Sequence, residues 1–341
     1  MSGQTGHGWA PFGQFLDDPD ELFMWLNHAV FGVAAMNLAN RSGVTLRLLQ
    51  GPADVAELAA FSGLPHDKLA RVLDYLLANE VIAQDGQGRF HATPRTAIMH
   101  EAAGYLANTE TSSLAATKLA EGLREGQVPF DLAFGQPVFE HFRDHPDRAA
   151  LFGQFMGFMT RRVTRFLFAQ HRFHRFTKVA DIGGSMGDLL LAVLAEYPAT
   201  HGVLFDLPAT VEIAREALAD NPLATRIELV GGSFFDTVPA ADLYLLKQIL
   251  HDWDDAECRE ILGTIRKAIP PHGRLAVIDH VLHDQPAPDE GQGTDIAMMI
   301  WASGRERKLA EFDALFAASG FAIDRLTRNP SGHSVLEVVP V

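Results

Sequence analysis

His251 is the side chain in this sequence best suited to take up a proton near neutral pH. It stands within residues 246–255, between the end of an apolar strand and the start of a helix. An imidazole has an ordinary pKa of about 6.5, so it can act as a base near neutrality. A lone histidine is usually structural, but Glu306 and Asp279 offer carboxylates that could orient this ring. The three residues are therefore a candidate general base with its supporting carboxylates.

The acidic residues that follow His251 have a simpler interpretation. Asp254 is followed three residues later by Glu257, and this spacing predicts a capping box at the start of a helix over residues 256–268. Asp254 and Asp255 therefore need no catalytic role.

A glycine-rich turn follows another apolar strand within residues 178–188. The turn, residues 183–187, lacks the glycine spacing of a dinucleotide fingerprint, and the Lys-Ser or Lys-Thr pair of a Walker loop is absent. Asp181, at the end of the strand, would repel a phosphate. These features favour a ligand that carries a positive charge.

A further strand, over residues 202–206, ends in Asp206 about twenty residues after the glycine turn. A carboxylate at that place can accept hydrogen bonds from both hydroxyls of a ribose. An adenosine with a cationic amino-acid tail describes S-adenosylmethionine. The glycine turn, with Asp181 before it and Asp206 after it, therefore predicts a site for S-adenosylmethionine.

The composition of the 341-residue chain narrows the class of protein. Its formal charge of −15 argues against nucleic acid or an anionic membrane as partner, because both are bound through clustered Lys and Arg. There is neither a signal-peptide start nor an apolar run near the roughly 18 residues of a membrane helix, so we expect a cytoplasmic protein. The single cysteine, Cys258, excludes an internal disulfide and a zinc site built from cysteines.

Residues 1–100 are predicted to form a mostly helical domain. A helix over residues 21–38 is apolar on most sides, with Leu22, Trp25 and Leu26 among its apolar residues. Such a helix must be buried, and little sequence precedes it to cover it. We therefore expect it to pack against a second copy of the chain.

Residues 54–92 follow the pattern of a winged helix-turn-helix, with helices over 54–63 and 66–79 and two short strands within 81–92. The motif raises the alternative of a DNA-binding regulator. The would-be recognition helix has two basic residues balanced by two acidic ones, and residues 1–100 hold six Lys and Arg against ten Asp and Glu. Because a DNA reader needs a basic face, we do not expect binding to nucleic acid.

Residues 101–170 are predicted to connect two domains through helices over 111–124 and 139–169. The apolar stripe of the second helix is more typical of a core than of a pocket. Three of its residues could instead wall a flat apolar substrate: Phe155, Met156 and Met159.

Residues 171–341 alternate strands with helices and end in a hairpin with strands over 321–326 and 334–339. This order predicts a doubly wound, Rossmann-like α/β sheet with one antiparallel strand. The stretch 284–293, rich in Pro, Asp and Gly, is predicted to be irregular. Ligands of such sheets bind at the carboxyl ends of the strands, so these residues should point toward one crevice: Asp181, Asp206, Ser233, Lys247 to Trp253, and Asp279.

Five motifs in this order and spacing resemble those of the plant caffeate-type and bacterial small-molecule O-methyltransferases, which include phenazine and anthracycline tailoring enzymes. The motifs are residues 181–187, 205–208, 232–236, 246–253 and 304–307. The resemblance covers nearly the whole chain. It implies S-adenosylmethionine-dependent methylation of a hydroxyl on a small aromatic acceptor, with S-adenosylhomocysteine as product and no metal. It also implies that the amino-terminal winged-helix domain forms a homodimer.

The resemblance assigns roles to single residues. His251 would be the base, flanked by Glu306 and Asp279. The residues around the cofactor would be Asp181, Gly183, Asp206, Leu207, Ser233, Phe234, Lys247 and Trp253. The acceptor pocket is placed at Phe155, Met156, Met159, Asp252, Met298 and Met299.

Three positions depart from the family pattern. Ser185 replaces a common glycine, Ser233 replaces a frequent aspartate that binds the adenine amino group, and Asp279 is shorter than the usual glutamate. None of these departures removes the candidate base. A relative that kept the cofactor for decarboxylation, hydroxylation or N-methylation stays an alternative, as does the winged-helix regulator.

Overall fold

The computed structural model describes residues 19–171, 173, 175–286, 289–329 and 332–341. The chain divides into two compact units. The amino-terminal unit contains residues 19–114 and 146–158, and the carboxyl-terminal unit contains residues 115–145 and 159–341. The connector predicted over residues 101–170 is thus shared between the two units. Among the helices described, none is both long and apolar enough to cross a membrane.

The amino-terminal unit is built from helices and one short hairpin. Its elements are α1 (Pro19–Arg41), α2 (Val44–Leu49), α3 (Val55–Ser62), α4 (His66–Ala78), β1 (Ile82–Gln84), β2 (Phe90–Ala92), α5 (Pro94–Glu101) and α6 (Ala103–Ala116). Leu69, Leu73 and Leu76 recur at helical spacing along α4 and are buried in one apolar core with Leu58 of α3. The helices and the hairpin predicted over residues 54–92 are present.

Helix α1 exposes much of its apolar surface in the single chain. Phe23, Val30 and Phe31 are 68%, 65% and 58% exposed, and Met24 and Leu26 are also exposed. The side chains of Leu22 and Trp25, which the sequence analysis also counts among the apolar residues of this helix, lie outside the described residues.

Four helices follow: α7 (Leu119–Glu125), α8 (Pro129–Phe134), α9 (Val138–Asp144) and α10 (Pro146–Gln170). The prediction of one helix over residues 139–169 is wrong, because α9 ends before His145. Pro146 is the first residue of α10, and a proline disfavours the helical conformation of the residue before it. His145 accordingly has φ −129° and ψ 78°.

The carboxyl-terminal unit alternates strands and helices. Its remaining elements are β3 (Lys178–Ile182), α11 (Asp188–Glu196), β4 (His201–Asp206), α12 (Pro208–Leu218), β5 (Ile227–Gly231), β6 (Leu243–Lys247), α13 (Asp255–Ala268), β7 (Arg274–Asp279), β8 (Val281–Leu282), α14 (Glu290–Trp301), β9 (Arg307–Lys308), α15 (Leu309–Ala318), β10 (Phe321–Arg328) and β11 (Ser334–Pro340). Helix α14 begins inside the stretch predicted to be irregular. Its first turn contains Gly291 and Gly293, which are poor helix formers, but Asp289 caps it by accepting a hydrogen bond from the Gln292 N–H at 3.1 Å.

A seven-stranded sheet forms the centre of this unit, in the order β10, β11, β7, β6, β3, β4, β5. The last five strands of that order run parallel, and β11 runs antiparallel to β7. Along β6, Tyr244 and Leu246 are buried in one apolar core, and Leu243 and Leu245 are buried in another. Burial on both faces explains why the strand is a continuous apolar run. The predicted doubly wound α/β sheet with one antiparallel strand is confirmed.

Candidate active site

The predicted site residues follow the carboxyl ends of neighbouring parallel strands. Asp181 lies near the end of β3, while Asp206, Lys247 and Asp279 are the last residues of β4, β6 and β7. Ser233 follows β5. The direction of winding reverses between β3 and β6, and open α/β sheets bind ligands at such a reversal. The structure thus brings these five residues to one edge of the sheet.

Two glycines of the turn after β3, Gly183 and Gly184, lie close to neighbouring side chains. A Cβ atom on Gly183, which has a φ of +68°, would lie 2.5 Å from Ile249 Cδ1. A Cβ on Gly184 would lie 2.4 Å from Leu204 Cδ1 and 2.9 Å from Asp181 Cγ. Both glycines therefore let the backbone come close to the neighbouring strand ends.

Asp206 is fixed by backbone groups of the turns around it. Its Oδ2 accepts the Ser185 N–H at 2.8 Å, and its Oδ1 accepts the Leu207 N–H at 2.7 Å. Ser185 adopts the left-handed conformation with φ +52°, so the departure from glycine is accommodated. A carboxylate has about four lone-pair sites. Asp206 therefore keeps capacity to accept hydrogen bonds from a ligand.

A buried acid and a buried base lie beside the turn. Asp181 Oδ2 is buried and has no hydrogen-bond partner among the described residues. Burial raises the pKa of Asp181 to about 7, and the nearby Lys247 charge acts in the opposite direction. Burial lowers the pKa of Lys247 to about 8, although Asp181 and Asp279 raise it. Lys247 Nζ donates to Gln248 Oε1 at 2.8 Å.

Aromatic rings cluster near the end of β5. Phe234 and Trp253 meet edge to face with ring centroids 5.9 Å apart, and Phe235 and Trp253 do so at 4.9 Å. Ser233 Oγ accepts the Phe235 N–H at 3.2 Å, so this hydroxyl is engaged in its own turn. Leu207 is exposed.

The structure pairs His251 with Glu306. His251 Nδ1 lies 2.8 Å from Glu306 Oε1, and the two side chains are 5% and 0% exposed. A carboxylate can only accept, so Nδ1 carries the hydrogen and donates it to Glu306. The lone pair of the neutral ring is then on Nε2. The backbone of Glu306 is held in turn by Asp295, whose Oδ1 accepts the Glu306 N–H at 2.9 Å.

The surroundings of His251 favour its protonated form. Burial opposes the imidazolium, but the charges of Glu306, Asp252 and Asp279 outweigh burial and raise the pKa of His251 to about 10. Burial in turn raises the pKa of Asp279 to about 7 and that of Asp252 to about 6. Glu306 has the largest of these charge effects and also accepts the Nδ1–H, so it is the main support of the imidazolium.

Asp279 and Asp252 have different relations to the ring. Both oxygens of Asp279 are buried without a hydrogen-bond partner among the described residues, so this carboxyl does not hold the imidazole. Asp252 Oδ1 lies 3.5 Å from His251 Nε2, on the side of the ring opposite Glu306. Asp254 caps α13 through the predicted capping box with Glu257.

The residues proposed for the acceptor pocket are divided between the two units. Met159, Asp252, Met298 and Met299 belong to the carboxyl-terminal unit. Within it, Met159 is buried, whereas Met299 is exposed. The remaining two belong to the amino-terminal unit: Phe155 and Met156.

The sequence did not reveal two residues that shape this site. A Cβ on Gly304 would lie 2.0 Å from the His251 carbonyl oxygen, so the loop of Gly304 is pressed against the backbone of the base. Arg307 is fully buried beside the same segment. Both residues belong to the motif 304–307. The only signal in the sequence for a structural role of Arg307 was its position next to Glu306.

His280, Glu290 and His333 bring possible ligand atoms within 4.8 Å of one another. The two imidazole centroids are 4.2 Å apart. Arg162 Nη2 donates to Glu290 Oε1 at 2.6 Å, so a guanidinium already neutralises this carboxylate. A positive charge there opposes a divalent cation, and we assign no metal to the cluster.

Known proteins share both the sequence and the fold. The model of an O-methyltransferase domain matches residues 116–322. The phenazine O-methyltransferase PhzM of Lysobacter antibioticus is 32% identical, with 93% of each chain covered. The crystal structure of LaPhzM has a TM-score of 0.89 and 31% identity, and the match covers 94% of this chain and 99% of that one. This chain belongs to the O-methyltransferase family.

A second solved relative has ligands bound. An O-methyltransferase from neocarzinostatin biosynthesis, in complex with S-adenosylmethionine and 2-hydroxy-5-methyl naphthoic acid, has a TM-score of 0.73 and 28% identity. The match covers 91% of this chain and 96% of that one. This O-methyltransferase is accordingly an S-adenosylmethionine-dependent enzyme, as the sequence predicted.

The strand ends of this O-methyltransferase suit S-adenosylmethionine. Asp206 has spare lone pairs for ribose hydroxyls, and the Phe234 and Trp253 rings offer apolar surface for adenine. The buried Asp181 Oδ2 without a described partner can accept a hydrogen bond from an ammonium group. The close approach of the backbone at Gly183 makes this turn compatible with a ligand lying across it.

Proposed function

We propose that this enzyme methylates a hydroxyl of a small aromatic acceptor with His251 as general base. The carrying observation is the buried pair of His251 and Glu306 at the carboxyl edge of the sheet, which occupies Nδ1 and leaves Nε2 as the nitrogen that would take up a proton. The likeness to enzymes with phenazine and naphthoate names supports an aromatic acceptor. We place its pocket within the carboxyl-terminal unit, at Met159, Asp252, Met298 and Met299.

The base is needed because a neutral hydroxyl is a poor nucleophile. A phenol has a pKa of about 10 and is mostly protonated at neutral pH. His251 Nε2 takes up this proton as negative charge develops on the acceptor oxygen. Glu306 accepts the Nδ1–H and stabilises the imidazolium that forms, as the carboxylate of a catalytic triad does. Bound S-adenosylmethionine supplies a methyl group on a positively charged sulfur.

The activity can be tested with the purified enzyme and a panel of hydroxylated phenazines, naphthoates and catechols. Each acceptor is paired with its O-methyl ether, which offers no free hydroxyl at that position. We expect S-adenosylhomocysteine release with at least one hydroxylated member and none with its ether. Equal release from both members of every pair would contradict the proposal.

We propose that Asp206 holds the ribose of the cofactor. Asp206→Ala removes the acceptor of two hydroxyls and should weaken S-adenosylmethionine binding by about 1–3 kcal/mol. Isothermal titration calorimetry measures this change. Asp220→Ala is the matched control, because Asp220 is an exposed aspartate beyond the end of α12. Unchanged affinity in a folded Asp206→Ala protein would show that the ribose lies elsewhere.

We further propose that residues 1–100 form a winged-helix domain that makes a homodimer through α1. The apolar residues exposed on α1 support this, since covering them stabilises the assembly by about 25 cal/mol per Å². Val30→Glu should therefore weaken the dimer in sedimentation-velocity experiments. Val341→Glu makes the same change at a valine that is 70% exposed outside α1, and it should leave the dimer intact. A parent protein that is monomeric at micromolar concentration would contradict the proposal.

A further inference from the structure

Arg307 is the largest fully buried side chain of the described residues, with a relative exposure of 0%. Its guanidinium uses every donor it has. Nη1 donates to Leu250 O at 2.7 Å and to Arg305 O at 3.4 Å, and Nη2 donates to Trp253 O at 2.9 Å. Nε and Nη2 both donate to Asp255 Oδ1, at 2.9 Å and 2.8 Å. An arginine has five N–H donors, and all five have an acceptor here.

Two carbonyl acceptors of Arg307 lie on either side of His251 in the sequence. Leu250 directly precedes the base, and Trp253 follows two residues after it. Two carbonyl oxygens on either side of the imidazole are thus tied to one planar guanidinium. The segment is a short 3-10 turn over Leu250–Asp252, and such a turn fixes its side chains less firmly than a long helix or a sheet.

Glu306 and Arg307 are consecutive residues that hold the same segment by different atoms. Glu306 bonds the imidazole ring, and Arg307 bonds the backbone that carries the ring. The position of the imidazole relative to the Glu306 carboxylate is therefore fixed both by the bond to the ring and by the bonds to the backbone. The charge of the buried guanidinium is balanced by Asp255, which is partly exposed on the far side.

We propose that Arg307 is a positioning residue for the base: its guanidinium fixes the backbone on both sides of His251 and so keeps the imidazole in register with Glu306. This inference rests on the proposed role of His251. A lysine has a single charged nitrogen and cannot span the two carbonyls and the carboxylate as a planar fork does. Charge alone therefore does not replace Arg307.

The test compares Arg307→Lys with Arg305→Lys in the full-length enzyme. Arg305 is a neighbouring arginine that also pairs with Asp255, at 3.3 Å, but it is 45% exposed and bonds neither carbonyl. We expect Arg307→Lys to lower kcat by about 10²-fold, because a misplacement of about 1 Å at a reacting group has an effect of that size. The calorimetric affinity for S-adenosylmethionine should stay within about twofold, since the proposed contacts at Asp206, the glycine turn and Phe234 lie on other strand ends and only Trp253 shares the segment that Arg307 holds. Arg305→Lys should match the parent.

Two further measurements separate positioning from a general loss of structure. The midpoint of the alkaline rise of kcat/KM should fall by about one pH unit in Arg307→Lys, because His251 moves away from the charge that raises its pKa. The kcat defect should also shrink with a nitro-substituted phenol that is already ionised, since this acceptor needs no base. Asp255→Asn removes the negative charge that Arg307 pairs with, so it should weaken the hold of the guanidinium and give smaller changes in the same directions. This variant replaces Arg307→Lys in the test if Arg307→Lys does not fold.

The outcomes separate this inference from the proposed function. If His251→Gln shows a defect that depends on acceptor ionisation but Arg307→Lys and Asp255→Asn match Arg305→Lys, the positioning role is wrong and the base stands. An equal defect of Arg307→Lys with both acceptors and an unshifted pH profile would also overturn the positioning role. If His251→Gln itself shows no such defect, the proposed base is wrong, and the inference falls with it.

Discussion

Replacing His251 with glutamine is expected to lower kcat at pH 7 by about 10²–10⁴, the usual contribution of a positioned base. Glutamine keeps a polar side chain of similar length but takes up no proton near neutrality. The affinity for S-adenosylmethionine should be almost unchanged, because His251 itself makes none of the proposed cofactor contacts, which lie at the glycine turn, Asp206 and the aromatic rings. Steady-state kinetics and calorimetry on the same preparation measure both quantities.

The pH dependence of the parent follows from the charge around the ring. Catalysis requires neutral His251, and the pKa of this group is raised to about 10, so the active fraction increases as the pH rises. We therefore expect kcat/KM of the parent to climb through the alkaline range. The defect of His251→Gln should shrink at high pH, where a phenolic acceptor ionises without help. Equal rates of variant and parent at pH 7 would mean that catalysis here is proximity alone.

Gly304→Ala is expected to lower kcat by about 10² or more while the fold is kept. An added Cβ would lie 2.0 Å from the His251 carbonyl oxygen, 2.3 Å from Asp252 C and 2.5 Å from Trp253 N. All three atoms are backbone, so no side chain can turn aside to make room. The segment that carries the base must move, and a shift of about 1 Å at a reacting group has an effect of this size.

The matched control for Gly304→Ala is Gly263→Ala in α13. A Cβ on Gly263 meets nothing within 4 Å, and alanine is the better helix former by about 1 kcal/mol. Gly263→Ala should therefore keep full activity and raise the melting temperature slightly. Full activity of Gly304→Ala would show that the contact between its loop and residues 251–253 does not place the base.

Local signals in the sequence predicted much of the fold. The strand predicted over residues 202–206 is β4 (His201–Asp206), and Asp254 with Glu257 forms the predicted capping box. These features depend on residues close together in the chain. The break before α10 was also local, since Pro146 signals it, but the apolar periodicity on both sides concealed it.

The arrangement of the site was only partly accessible from the sequence. The sequence offered Glu306 and Asp279 as equal candidates to orient His251. Only the packed structure shows that Glu306 bonds the ring, whereas the Asp279 oxygens have no hydrogen-bond partner among the described residues. The role of Arg307 could not be assigned because the Leu250 and Trp253 carbonyls that it bonds lie more than fifty residues earlier in the chain. The contact of Gly304 likewise depends on two loops meeting, which no spacing rule describes.

The position of the transferred methyl group distinguishes O-methylation from N-methylation and from decarboxylation most directly. The enzyme is incubated with S-adenosylmethionine that carries a deuterated methyl group and with the acceptor that gave S-adenosylhomocysteine in the panel. Mass spectrometry and carbon NMR of the product then locate the label. We predict one labelled methyl on a phenolic oxygen, formed by the parent and by His251→Gln at rates that differ about 10²-fold or more at pH 7. A label on nitrogen or carbon, or an acceptor that loses carbon dioxide without gaining a label, would contradict this prediction.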